Sequence, residues 1–171
     1  MKLINILTIL TILVSNIAFS EEKPPFKNIL VLDEPKVFEQ IIFQDRDGNQ
    51  IDLNSINTYE IYILNFWATW CAPCKDEMPS LNKLHEKDGI FIFPINMEEK
   101  NLNNTDKFYK DLNIDNLNIY FDNGLKLVKV FALRGVPTTI ILNKKKEMVA
   151  RISGSIDFED KKFLTWLSSI K

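Results

Sequence analysis

Cysteine and histidine are scarce in this chain, with two of the first and one of the second in 171 residues. The cysteines, Cys71 and Cys74, stand three positions apart, whereas an exported fold held by disulfides carries several at wide spacing to close long loops. This pair staples almost nothing. A lone C-x-x-C supplies two of the four ligands a structural zinc needs, and His85 is the single histidine that could add a third, so zinc is the weaker reading. Met78, Met97 and Met148 are scattered, and their spacing does not favour a copper site. A strong charge of either sign is missing too. The net charge of -2 becomes -3 once Lys2 is lost with the leader described below, which argues against a nucleic-acid partner recognised through its phosphates. Internal repeats and low-complexity tracts are absent, and 46% hydrophobic with 26% charged residues is ordinary for one globular domain.

What the sequence does have begins at its N-terminus. Lys2 is followed by Leu3 to Phe19, a run without a charge, and then by Ser20 and the charged Glu21, Glu22 and Lys23. That is the pattern of an export signal, and Ala18 and Ser20 are small residues placed for cleavage after Ser20. The run lies at the bottom of the range for a membrane span, so residues 1–20 read either as a cleaved signal peptide or as an uncleaved anchor. Either places the domain outside the cytoplasm, periplasmic or otherwise extracytoplasmic. Residues 21–36 carry Pro24, Pro25 and Pro35 among charges and read as a linker, which leaves 37–171 as the folded domain.

Within that domain, Val37 to Phe43 and Gln50 to Leu53 flank a Gly48-containing turn and read as a β-hairpin. Ile61 to Phe66 is nearly continuous apolar sequence rich in β-formers, as expected of a strand buried on both faces. It runs straight into the cysteines. Met78, Leu81, Leu84 and His85 then recur at helical spacing until Gly89, and Ile90 to Ile95 is a second apolar strand, so a parallel β-α-β pair is expected. A short helix over Thr105 to Leu112, a strand over Leu117 to Phe121 and a helix over Leu125 to Leu133, with Leu125, Val128 and Ala132 inward, come next. Thr138 to Leu142 and Met148 to Ile152 flank a Lys-rich turn as antiparallel strands, and a final helix from near Asp157 carries Phe163, Leu164 and Leu167 inward.

A thiolate, not a thiol, attacks a disulfide. A helix beginning near Cys71 would stabilise that thiolate with its unpaired N–H groups and positive dipole end, while Cys74, one turn in, is shielded and placed to resolve a mixed disulfide. Pro73 suits the first turn because it has no N–H to leave unpaired. Cys71 therefore reads as the nucleophile and Cys74 as the resolving cysteine.

The segment Asn65-Phe-Trp-Ala-Thr-Trp-Cys-Ala-Pro-Cys74, with Gly135-Val-Pro-Thr-Thr139 further on, resembles the thioredoxin superfamily, specifically its TlpA/ResA-like branch. The resemblance covers roughly residues 36 to 170. It implies an α/β thioredoxin-like fold, a central mixed sheet flanked by helices with an N-terminal β-hairpin extension, and no cofactor beyond a redox-active Cys71–Cys74 disulfide. Pro137 matches the family's cis-proline facing the dithiol, with Val136 presenting backbone to a substrate segment. Trp70, Ala72 and Pro73 complete the expected substrate-binding surface, Trp67 is expected to be structural, and Pro79 matches a helix-kinking proline. Thioredoxins place a buried aspartate on the strand before the motif, and this chain has Asn65 there. An amide cannot accept a proton, so Glu77, one turn beyond Cys74 and shared by this branch, is the expected proton acceptor, with Glu98 and Glu99 behind it. His85, three turns from Cys74, reads as a helix-face residue.

The function implied is an exported monomeric thiol-disulfide oxidoreductase that reduces disulfides in exported client proteins, of the kind matured as cytochromes c or copper proteins. A membrane thiol relay or other reductant would reset it. The alternatives are a disulfide-forming oxidant, disfavoured because such proteins carry a large helical insertion, and a copper chaperone that uses the two thiolates as soft ligands.

Overall fold

A computed structural model describes residues 23–122 and 124–170. The leader and its cleavage site lie outside the described residues, and no helix among these is long and apolar enough to cross a membrane. One eight-stranded sheet forms the centre, in the order β1-β8-β7-β4-β5-β6-β2-β3.

The middle of the sheet is β4 (Ile61–Trp67), buried at all seven positions because its β-branched and aromatic side chains face a covered layer on either side. It pairs in parallel with β5 (Ile90–Asn96) and antiparallel with β7 (Thr138–Asn143). The parallel pair is joined through α1 (Ala72–Leu84), and β6 (Tyr120–Phe121) continues the parallel order beyond β5. On the other side β8 (Met148–Ser153) pairs antiparallel with β7. Between them the chain reverses at Asn143 to Lys146, where Lys146 takes a φ of 62°.

Two hydrophobic clusters cover the two faces. Met78, Leu81 and Leu84 of α1, Phe108 and Tyr109 of α2 (Leu102–Asp111), and Phe163, Trp166 and Leu167 of α4 (Lys161–Ser169) fill one. Leu127 and Phe131, in and just after α3 (Lys126–Val130), fill the other, together with the strand β2 (Ile42–Asp45) through Phe43. The hairpin β2–β3, with β3 at Gln50–Asp52, closes the far edge through β2–β6 pairing.

Four segments differ from what their sequence suggests. The segment 21–36 is not a linker throughout, since Ile29–Lys36 forms β1, the opposite edge strand, in antiparallel register with β8. Consequently the first arm of the hairpin is shorter than expected, starting at Ile42, and Val37 is 70% exposed. In α3 the inward residues are Leu127 and Phe131, while Leu125 and Ala132 are exposed. The register differs because Leu125 sits at the N-cap with a φ of 54° and the carboxylate of Asp122 accepts the N–H groups of Leu127 and Val128. In α4, Trp166 rather than Leu164 takes the fully buried place, with Asp160 as N-cap.

Candidate active site

Cys71 is the N-cap of α1 and Cys74 lies in its first turn. Their sulfurs are joined, with the Cα atoms 5.3 Å apart. The N–H of Cys74 points at the Cys71 sulfur at 3.2 Å, so one of the helix's orphan donors is aimed at the atom where a thiolate would form on reduction. Cys71 is 3% exposed and Cys74 fully buried, an asymmetry that favours Cys71 as the sulfur met by a partner. Ala72 and Pro73 are exposed on the first turn, and Trp70, just before Cys71, is 71% exposed. Trp67 is fully buried, 4.5 Å from the ring of Phe108 and 5.7 Å from that of Tyr109. Pro79 lies within α1, where its missing N–H leaves the carbonyl four residues back without its helical donor.

The β4–β7 register sets Thr138 opposite Phe66 and Thr139 opposite Asn65. Pro137, immediately before β7, therefore arrives at the end of the sheet from which the chain leaves β4 for the cysteines. The Val136–Pro137 bond is cis. Pro137 is buried, and its carbonyl accepts the N–H of Gly154 at 2.9 Å, while Val136 is half-buried and packs against both core clusters.

Behind the disulfide, Glu77 is 2% exposed. Its Oε1 accepts from the Asn65 amide at 2.8 Å, and the same amide nitrogen donates to the Thr139 hydroxyl at 3.0 Å. Among the described residues the other carboxyl oxygen, Oε2, has no hydrogen-bond partner. An unpartnered buried oxygen disfavours the charged form, because nothing replaces the water it lost. Burial pushes the Glu77 carboxyl up to about 7, with the Asn65 amide and the backbone of Ile156 pulling partway back. Thus the strand position that holds Asn65 does not supply an acid. It supplies a donor that orients one.

Glu98 occupies a different place. Its two carboxylate oxygens accept the backbone N–H of Thr69 at 2.6 Å and the Thr69 hydroxyl at 3.0 Å, while its own N–H is held by Asn96 at 2.8 Å. It fixes the loop leading to Cys71, two residues upstream of the sulfur. Sequence spacing had no signal for this contact or for Thr139, since the partners are 29 and 74 residues apart. His85 caps the end of α1, and its Nδ1 accepts the N–H of Ile92 at 3.2 Å, with burial lowering its pKa. It ties α1 to β5. Among the described residues, no group of three or more His, Cys, Asp or Glu side chains is arranged to hold a metal ion.

A helix capped by one half of a C-x-x-C disulfide, packed on a mixed sheet whose strand β7 is entered through a cis-proline, defines a dithiol protein of the thioredoxin-like class. The family model described as AhpC/TSA matches residues 35–151. Thiol-disulfide oxidoreductase ResA of Geobacillus thermodenitrificans is 31% identical over 76% of this chain and 74% of its own length. ResA of Halalkalibacterium halodurans is also 31% identical, over 67% of this chain and 65% of its own. Among solved structures, StoA of Bacillus subtilis superposes with a TM-score of 0.60 at 27% identity, covering 78% of this chain and 99% of that one. The chain belongs to the AhpC/TSA family of the thioredoxin-like fold, among the thiol-disulfide oxidoreductases of the ResA and StoA type.

Proposed function

We propose that the protein acts outside the cytoplasm as a reductase of disulfides in exported client proteins, with Cys71 as nucleophile, Cys74 as resolving cysteine and Glu77 as the proton acceptor between them. The observation that carries this reading is the buried Glu77 carboxyl, held near neutrality one helical turn beyond the disulfide. In the reduced protein, the Cys71 thiolate attacks one sulfur of the client disulfide. A mixed disulfide forms and the client's other sulfur leaves as a thiolate. Cys74 then passes its proton to Glu77 and attacks the Cys71 sulfur, which closes the Cys71–Cys74 disulfide and releases the second client thiolate. The client leaves with two electrons, and the protein is left oxidised. A thiol donor, such as a membrane relay, must return those electrons by the same exchange run on Cys71. Trp70, Ala72 and Pro73 form the exposed surface beside the sulfur, and the Val136–Pro137 backbone offers extended pairing to the client. The uncharged run at residues 3–19 supports export, and cytochrome c or copper-protein precursors are the clients this type suggests.

The test is Cys74→Ser, which removes the resolving step. Incubated with extracytoplasmic extract, the reduced variant should accumulate adducts that dithiothreitol dissolves and that vanish when Cys71 is also changed to Ser. Recovery of no adducts would remove the client-directed role. Measuring the potential of the pair fixes the direction of exchange: a value near about -120 mV, where strong oxidants lie, would replace reduction by disulfide formation.

A further inference from the structure

A cleft of about 620 Å3 opens beside the loop that carries Pro137 and extends over the outer strands of the sheet. Leu30 and Leu32 of β1 and Arg151 of β8 form its floor, Val130 and Phe131 its wall, and Arg134 to Thr138 its near end. The floor follows from register, since Leu30 sits opposite Arg151 across the β1–β8 pair and the two side chains share a face. Among the described residues no strand pairs with the outer edge of β1, and Leu30 is 59% exposed.

The charge of this cleft is one-sided. Its lining contains Lys36, Arg134 and Arg151 and no Asp or Glu, in a chain whose net charge is -2. Among the described residues, none of those three cations is in an ion pair. Arg151 donates to the carbonyls of Phe131 and Ala132, which fastens the wall to the floor. Burial pushes the Arg151 guanidinium down from its ordinary range, and the like charge of Arg134 adds to this. Two unneutralised guanidinium groups held close together disfavour each other, and a carboxylate placed between them relieves the repulsion.

We propose that this cleft selects clients: it receives the part of an extended client segment that runs on past the Val136–Pro137 loop, with an apolar side chain on Leu30, Leu32 and Val130 and a carboxylate at Arg134 and Lys36. The inference rests on Cys71 and Cys74 exchanging with proteins. One occupant is named because the cleft is continuous with the Val136–Pro137 backbone, where a client in mixed disulfide must lie, and because only an anionic segment matches its charge. An acidic residue a few positions from the client's cysteine thus becomes part of what is recognised. The cation that meets it is Arg134, exposed at the rim, while Arg151 holds the cleft's shape.

The test uses two disulfide peptides of one sequence, one with Leu and Glu flanking its cysteine and the other with Leu and Gln. With the reduced protein, the Glu peptide should exchange faster by about three- to tenfold, and rising salt should shrink the difference. In Arg134→Gln and Lys36→Gln the preference should fall toward unity. Equal rates for the two peptides in the unchanged protein, or a preference that survives both substitutions, would overturn the proposal while leaving the exchange function standing. A second measurement separates the two readings: binding of the same peptides, with Ser in place of Cys, to the oxidised protein, followed by Trp fluorescence. Selective binding of the Glu form without exchange on either peptide would uphold the cleft and remove the exchange function. Binding of neither form would overturn the cleft.

Discussion

Replacing Glu77 by Gln should change how the stability of the oxidised protein depends on pH. In the unfolded chain this carboxyl titrates near 4.5, and in the fold it is held at about 7 by burial, opposed by the Asn65 amide and the Ile156 backbone. Between those values the folded chain keeps a proton that the unfolded chain has released, so stability falls as pH rises through this window and the loss is complete above about 7. At ~1.4 kcal/mol per tenfold difference in proton affinity, the full loss is about 3 kcal/mol. Gln has the size of the protonated acid, can keep the bond that Asn65 donates to Oε1, and has no proton to lose. Wild type and Glu77→Gln should therefore agree to within about 1 kcal/mol at pH 4.5, and the variant should be more stable by about 3 kcal/mol at pH 8. Urea unfolding of both oxidised proteins at steps from pH 4.5 to 8 measures this, with a midpoint separation opening to about 1 to 2 M. If the two midpoints run in parallel across the window, Glu77 does not hold a raised carboxyl, and its assignment as proton acceptor loses its physical basis.

The same variant should close the Cys71–Cys74 disulfide from a preformed mixed disulfide at least about tenfold more slowly at pH 7, as seen in a rapid-mixing experiment, because Gln cannot take the proton of Cys74. An undiminished rate would move that role elsewhere. Asn65→Asp sets a second carboxyl against Glu77 at the present 2.8 Å separation, so the pair must share a proton. A destabilisation of about 2 to 4 kcal/mol at pH 8 that is recovered toward pH 5 is expected in the same titration, and a pH-independent loss would contradict it. Glu98→Ala removes both acceptors from Thr69, leaving its N–H unpaired, and should cost about 1 to 3 kcal/mol together with slower exchange at Cys71. Unchanged stability and rate would show that the loop before Cys71 does not depend on Glu98.

The sequence pattern was clearest where local chemistry and tertiary placement agree. Ile61 to Trp67 is apolar on both sides, so its burial needs no knowledge of the partner strands, and Cys71 caps α1 by the ordinary preference of helix starts for a side-chain acceptor. What stayed hidden depends on contacts distant in sequence. Residues 29–36 look like a charged, proline-containing linker, and they are a strand only because β8 offers an edge to pair with. The inward face of α3 departs from its hydrophobic period because a left-handed residue at Leu125 and the carboxylate of Asp122 reset where the helix begins. Asn65, Glu77 and Thr139 sit on three elements, β4, α1 and β7, and their meeting is a consequence of register rather than of spacing. Glu98 shows the same limit, since it attracted notice as an acid and serves as an anchor for the loop.

Trp70 gives the protein a built-in optical readout. The chain has three tryptophans, and Trp67 and Trp166 are sealed in the core, where a change at the sulfurs leaves their surroundings dry. Trp70 alone stands in water, next to Cys71 in the chain. Its emission should brighten when the neighbouring disulfide, an efficient quencher, is opened, and should shift toward the blue when a bound partner covers the ring. Opening and docking thus report as intensity and as colour, and turnover can be watched without attaching a dye.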